Sequence, residues 1–282
     1  LKKLYFLTEL LCCFKRAHVQ RAFFKRACPF FSCKNDISSS NVKDIFVNVD
    51  TQNFPFMVEQ FADLKILRYQ LPGWKNLSLK EQKLVYYLTQ AGLSGRDIIW
   101  DQNYRHNLTI REALETIYTT FDGNKLTDEW GAFETYLKRV WFSNGIHHHY
   151  SNDKMKPGFD SAYLKELLAA TNTTLEGEAF EVLFNDKDSK KVNLSKDADI
   201  VLESAINFYA PDVTTQEVED YYNAIEVDEQ RPIEKGLNTR LIKKDGVLQE
   251  QVYKSGGLYG AAIDRIIFWL EKAKTVAENP QQ

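Results

Sequence analysis

A chain of 282 residues that is 44% hydrophobic and 27% charged has the composition of a folded protein, with length enough for one large or two small cores. Its formal net charge of -3 offers no electrostatic footprint for nucleic acid or anionic membranes. No run approaches the roughly 20 apolar residues needed to cross a bilayer, so no transmembrane segment is expected.

Residues 1–40 read as a leader and tether. Lys2 and Lys3 followed by Leu4 to Phe14 have the order of a basic n-region and an apolar h-region, interrupted by Glu9. All the cysteines (Cys12, Cys13, Cys28 and Cys33) fall here, which leaves the remaining chain without a disulfide framework or a cysteine zinc site. Phe30-Phe31-Ser32-Cys33 is a loose lipobox before the polar run Lys34 to Ser40. Cys33 is therefore the candidate lipidation site and the cell envelope the expected location. Without lipidation, the leader is a basic tail on a cytoplasmic protein.

From residue 41 to 282 the chain reads as one lobe. Ile45 to Met57 is an extended lead-in, broken by Pro55. Ser78-Leu79-Lys80-Glu81, Thr109-Ile110-Arg111-Glu112 and Thr214-Thr215-Gln216-Glu217 each have the form of a capping box, and each opens an apolar-periodic run that predicts a helix. Gly92 to Gly95 breaks the first helix before Arg96 to Asn107, a polar-aromatic segment that forms either a wall of a binding cleft or a buried polar network tying helices together. Phe133, Tyr136, Leu137, Val140 and Trp141 recur at helical spacing until Ser143, Asn144 and Gly145 stop the helix.

Beyond the three histidines that follow, Ser161 is placed to cap a short helix through Leu168. Glu178 to Phe184 alternates in the manner of a strand, and Lys191 to Leu194 is its candidate return after the turn cluster Asn185 to Ser189. Leu237 to Lys243 and Val247 to Tyr253 flank Lys244-Asp245-Gly246 and predict a tight hairpin. Gly256 to Gly260 then opens a helix over Ala261 to Ala277; the glycine spacing is not that of a dinucleotide site. The apolar arc from Ile263 to Leu270 is wide and predicts an exposed apolar patch. The class is α+β, predominantly helical with a few antiparallel strands.

His147, His148 and His149 are the obvious metal candidates. On extended backbone His147 and His149 would share a side, but two donors do not make a zinc site, and no cysteine, His-x-x-x-His or helically spaced glutamate completes one. No metal ligand is assigned. Carboxylate pairs such as Asp97 with Asp101, or Glu217 with Glu219 and Asp220, suit solvated helix faces, and no catalytic residue is assigned either.

The run from Trp141 to Lys154, Trp-Phe-Ser-Asn-Gly-Ile-His-His-His-Tyr-Ser-Asn-Asp-Lys, resembles the bacterial branch of the dipeptidyl peptidase III family, zinc metallopeptidases that remove dipeptides from peptide amino termini. Leu84 to Arg105 and Ala205 to Gly236 resemble it as well. The resemblance implies the amino-terminal part of a two-lobed, aminopeptidase-type hydrolase in which the segment matching the histidine loop lies by the substrate cleft. Asn144, His147, His149, Tyr150 and Ser151 are then the candidate contacts to an oligopeptide substrate. Outside the bacterial branch this loop differs, so individual side-chain roles do not transfer.

The family's zinc helix, His-Glu-x-x-Gly-His, has no counterpart, because none of His18, His106, His147, His148 and His149 precedes a glutamate. The resemblance therefore implies a fragment that stops before the zinc site. Zinc would belong to the complete enzyme, whose carboxyl-terminal half is the missing partner, and this chain alone is expected to be inactive and to bind none. The alternative is a free-standing, non-enzymatic peptide-binding or interaction protein built from the same lobe.

Overall fold

The computed structural model describes residues 54–226, 230 and 234–282, and the chain divides into two units, residues 1–82 and 83–282. The leader and Cys33 lie outside the described residues. In the first unit, β1 (Met57–Phe61) and β2 (Leu64–Leu67) pair antiparallel with Phe61 opposite Leu64. Most of the expected extended lead-in, Ile45 to Met57, lies outside the described residues, and its last residue begins β1. The hairpin turn is Ala62-Asp63, with Ala62 at φ 46°, a left-handed position that alanine rarely takes and that carries no sequence signal. The Ser78 capping box forms as expected: Ser78 N–H donates to Glu81 Oε2 at 2.7 Å and Glu81 N–H to Ser78 Oγ at 3.2 Å. Helix α1 spans Leu79–Ser94.

Gly95 separates α1 from α2 (Arg96–Asn103), and α3 (Asn107–Thr120) and α4 (Asp128–Ser143) follow. Thr109 is not a cap. The helix has already begun at Asn107, with Ile110 N–H bonded to His106 O at 2.9 Å, so a Thr-x-x-Glu sequence here lies inside the first turn. Thr127 caps α4 by accepting from Trp130 N–H. The α3–α4 pair carries the core: Ile110, Leu114, Ile117, Phe133, Leu137 and Val140 are all fully buried, and the Trp130 ring stacks on Phe121 at 5.0 Å.

Helix α5 (Ser161–Ala170) is capped by Asp160, one residue before the expected Ser161, and the Asp160 carboxylate accepts from Tyr163 N–H at 2.8 Å. The expected strand at Glu178 to Phe184 is a helical turn instead, α6 (Gly177–Glu181), which continues through further turns. Ala179, Val182 and Leu183 are the buried positions. Their spacing of three and four fits a helix, and a run this short satisfies either period until packing decides. No return strand forms at Lys191 to Leu194; the sheet-like contact there is an isolated bridge between Asp153 and Lys190.

Helix α7 (Thr215–Asn223) starts from the expected Thr214 capping box. Strands β3 (Thr239–Lys244) and β4 (Val247–Val252) form the expected hairpin. Asp245 and Gly246 at φ 52° and 77° make the two-residue turn whose twist matches the strands. Helix α8 (Gly260–Lys274) closes the described chain. Its wide arc is divided: Ile263 and Ile266 are buried, while Phe268 is 49% exposed and Trp269 stacks on Tyr87 of α1. The expected exposed patch is thus narrowed, because Ile266 packs against Gly95, where an added Cβ would lie 3.1 Å from its Cδ1. The class is α+β with helices dominant. Among the described residues no helix is long and apolar enough to cross a membrane.

Candidate functional site

The histidine loop is held where α4 ends. Asn144 takes the left-handed conformation at φ 51°, its N–H bonding back to Val140 and Trp141 carbonyls. Gly145 follows at φ 145°, and a Cβ there would lie 2.1 Å from Asn107 Nδ2. Only glycine lets the chain pass this close. Asn107, fully buried, accepts from Ile146 N–H through Oδ1 at 3.1 Å and donates through Nδ2 to Trp100 O at 3.0 Å. Asn103 donates to Asn144 O at 3.0 Å. Asn103 and Asn107 of the Arg96 to Asn107 segment thus belong to a polar network that ties the helices to the loop.

Residues 146–155 fold back as a small antiparallel turn. Met155 N–H bonds Ile146 O at 2.8 Å and His148 N–H bonds Asp153 O at 2.7 Å. The histidines divide their roles. His147 is buried, at 2% exposure, with Nε2 placed 2.7 Å from the Asp188 carbonyl oxygen. His148 Nδ1 accepts from the N–H groups of Tyr150 and Ser151 at 3.2 and 3.1 Å, bracing the turn from inside. The His149 ring meets Phe142 edge-on, with centroids 4.8 Å apart. Tyr150, at 76% exposure, and Ser151 face solvent.

The other side of this seam is the 185–191 segment. Asp188 sits at φ 49°, which Asp tolerates better than most residues. Its carboxylate accepts from Tyr104 O–H at 2.7 Å and Arg105 at 3.1 Å, and Arg105 also binds Glu178 at 2.7 Å. Lys154 donates to the carbonyls of Asn185 and Lys187, and Lys190 pairs with Asp153. Backbone bonds from Lys154 to Ser189 and from Lys191 to Asn152, each 2.8 Å, complete it.

The electrostatics follow from this burial. Loss of water, helped by the bond to Asp188, pushes the Tyr104 hydroxyl well above its usual range. The hydrogen bond from Arg105 holds Glu178 below the ordinary carboxylate value. Burial lowers the ammonium groups of Lys154 and Lys191. It also pulls His147 down to about 4; the Asp188 carbonyl opposes the shift, while Lys191 and Lys154 add to it.

Of the five candidate contacts, the turn therefore brings His149, Tyr150 and Ser151 together. It turns His147 inward and commits the Asn144 carbonyl to the polar network. Asp188, Tyr104 and Arg105, which fix the loop, were not picked out individually by the sequence; a turn cluster 84 residues from its tyrosine partner leaves no local trace. The described residues do not fit a zinc site. Among the described residues no three His, Cys, Asp or Glu side chains converge as ligands, and His147 Nε2 already faces a carbonyl.

No protein-family model matches the chain, and no curated protein matches it. Among solved structures it is similar to DPP III from Caldithrix abyssi, with 22% identity and a TM-score of 0.42 over 73% of this chain. The match covers 29% of that solved chain, so this sequence spans less than a third of its length.

Proposed function

We propose that residues 41–282 are the amino-terminal lobe of a zinc-dependent dipeptidyl peptidase, and that the turn at 144–151 is a wall of its peptide cleft. The observation that carries this is the run Trp141 to Lys154, whose sequence resembles the bacterial dipeptidyl peptidase III branch. The geometry supports a binding role. A turn tied down from beneath by Asn107, His147 and His148 presents Tyr150 and Ser151 to solvent, so an aromatic ring and a hydroxyl are offered at small ordering cost. Bound zinc supplies a hydroxide near neutral pH in such enzymes; among the described residues no three His, Cys, Asp or Glu side chains converge on a metal, and the part we assign to the turn is to position the extended substrate.

The test is reconstitution. Purified chain with added zinc should not cleave a chromogenic dipeptidyl substrate. Mixing it with a carboxyl-terminal portion that carries His-Glu-x-x-Gly-His should restore zinc-dependent turnover that neither part has alone. Zinc-dependent turnover by this chain by itself would overturn the assignment. Peptide binding with no gain on mixing would favour the free-standing binding protein.

A further inference from the structure

The imidazole of His147 has one chemically consistent state in the closed loop. Its Nε2 lies 2.7 Å from a carbonyl oxygen, which only accepts, so Nε2 carries the hydrogen and donates to Asp188 O. In the neutral ring Nδ1 is then a bare lone pair, and among the described residues it has no hydrogen-bond partner. A second proton would have to sit on Nδ1, buried and without an acceptor. Every charged group around it matters. Lys154 and Lys191 both act against a charged ring. The Asp188 carboxylate, which favours a charged ring, is engaged by Tyr104 and Arg105; the Tyr104 ring itself contacts the imidazole with centroids 5.3 Å apart. Glu178 is taken by Arg105, with His106 3.3 Å from it, and Asp153 by Lys190; His148 and His149 follow along the turn.

We propose that His147 and the Asp188 carbonyl form an acid-released latch that pins the 146–155 turn against the 185–191 segment. Proton uptake disfavours the closed seam. The ring leaves, and the bonds beside it, Lys154 N–H to Ser189 O and Lys191 N–H to Asn152 O, open with it. Tyr150 and Ser151 then lose their scaffold. This holds whether or not the turn binds peptide.

The sign follows from linkage. A released ring takes its proton near 6.5 and the latched ring only near 4, so closure is fully favoured above 6.5 and is progressively lost as pH falls toward 4. Hydrogen exchange of the whole chain, corrected for intrinsic rates, reads it directly. From pH 6.5 to 4.5 protection at Lys154 and Lys191 should fall on the order of 40-fold, while α3 and α4 hold theirs. In His147→Gln, whose amide still donates but does not titrate, protection should be flat across the same range. Asp188→Asn keeps the carbonyl and should keep the pH response. A second measurement needs no variant: the nitrogen resonances of His147 should report an Nε2–H tautomer that titrates below pH 5, in step with the opening. A ring that titrates near 6.5 with the loop still protected, or an equal acid loss in His147→Gln, would overturn the latch.

Discussion

Phe133 and His147 are both shut away from water, at 0% and 2% exposure, yet different forces keep them there. Phe133 sits in the α3–α4 interior among Trp130 and Phe159, where shape and apolar area do the holding. His147 sits in a seam of hydrogen bonds that runs through Asp188 to Tyr104, Arg105 and Glu178. An apolar interior is indifferent to pH and tolerant of partner identity, but intolerant of lost volume. A polar seam keeps its value only while every member holds the right proton and the right partner. The loop we propose as a substrate wall is mounted on the second kind of surface, so its geometry should respond to conditions that leave the body of the fold untouched.

That contrast can be broken at its apolar side first. Phe133→Ala should cost about 3–5 kcal/mol in urea unfolding, by the same amount at pH 7 and pH 5. A cost that shrinks on acidification would mean the interior is coupled to the seam. The next effect belongs to the unmodified chain. Between pH 6.5 and 4 the lowered His147 should withdraw roughly 2–3 kcal/mol of stability from the closed seam. Asn107→Ala sharpens the comparison, because it removes a polar residue from the dry side of the boundary. With Ile146 N–H and Trp100 O left without their partner, about 2 kcal/mol should be lost, and exchange at Ile146 should rise. The smallest effect is local. Thr214→Ala removes the capping box of α7 and should cost about 1 kcal/mol, with no change in the 146–155 turn.

The apolar side was the more legible in the sequence. The 133–141 spacing gave the buried face of α4, and the Ser78 and Thr214 boxes and the Asp245-Gly246 turn are local devices whose chemistry is complete within four residues. Where local signals were ambiguous, packing chose. Phe180, Val182 and Phe184 alternate in the manner of a strand, but the positions buried are Ala179, Val182 and Leu183, which keep helical spacing, and Thr109 carries the letters of a cap inside a helix that Asn107 had already begun. The β1–β2 turn offered no glycine or asparagine to read. The seam was least visible, since Tyr104, His147 and Asp188 meet only through the fold. The histidine triplet drew attention as a unit, whereas the structure gives its members separate duties: one is buried, one braces the turn and one packs on Phe142.

The central claim, that the turn at 144–151 is a peptide-binding wall, is tested most directly by titrating the isotope-labelled chain with an extended oligopeptide and following amide resonances. Saturable shifts should gather at His149, Tyr150 and Ser151, and Tyr150→Ala should weaken them by about tenfold. Shifts that are absent, scattered over the surface, or saturable but unchanged in Tyr150→Ala would contradict it.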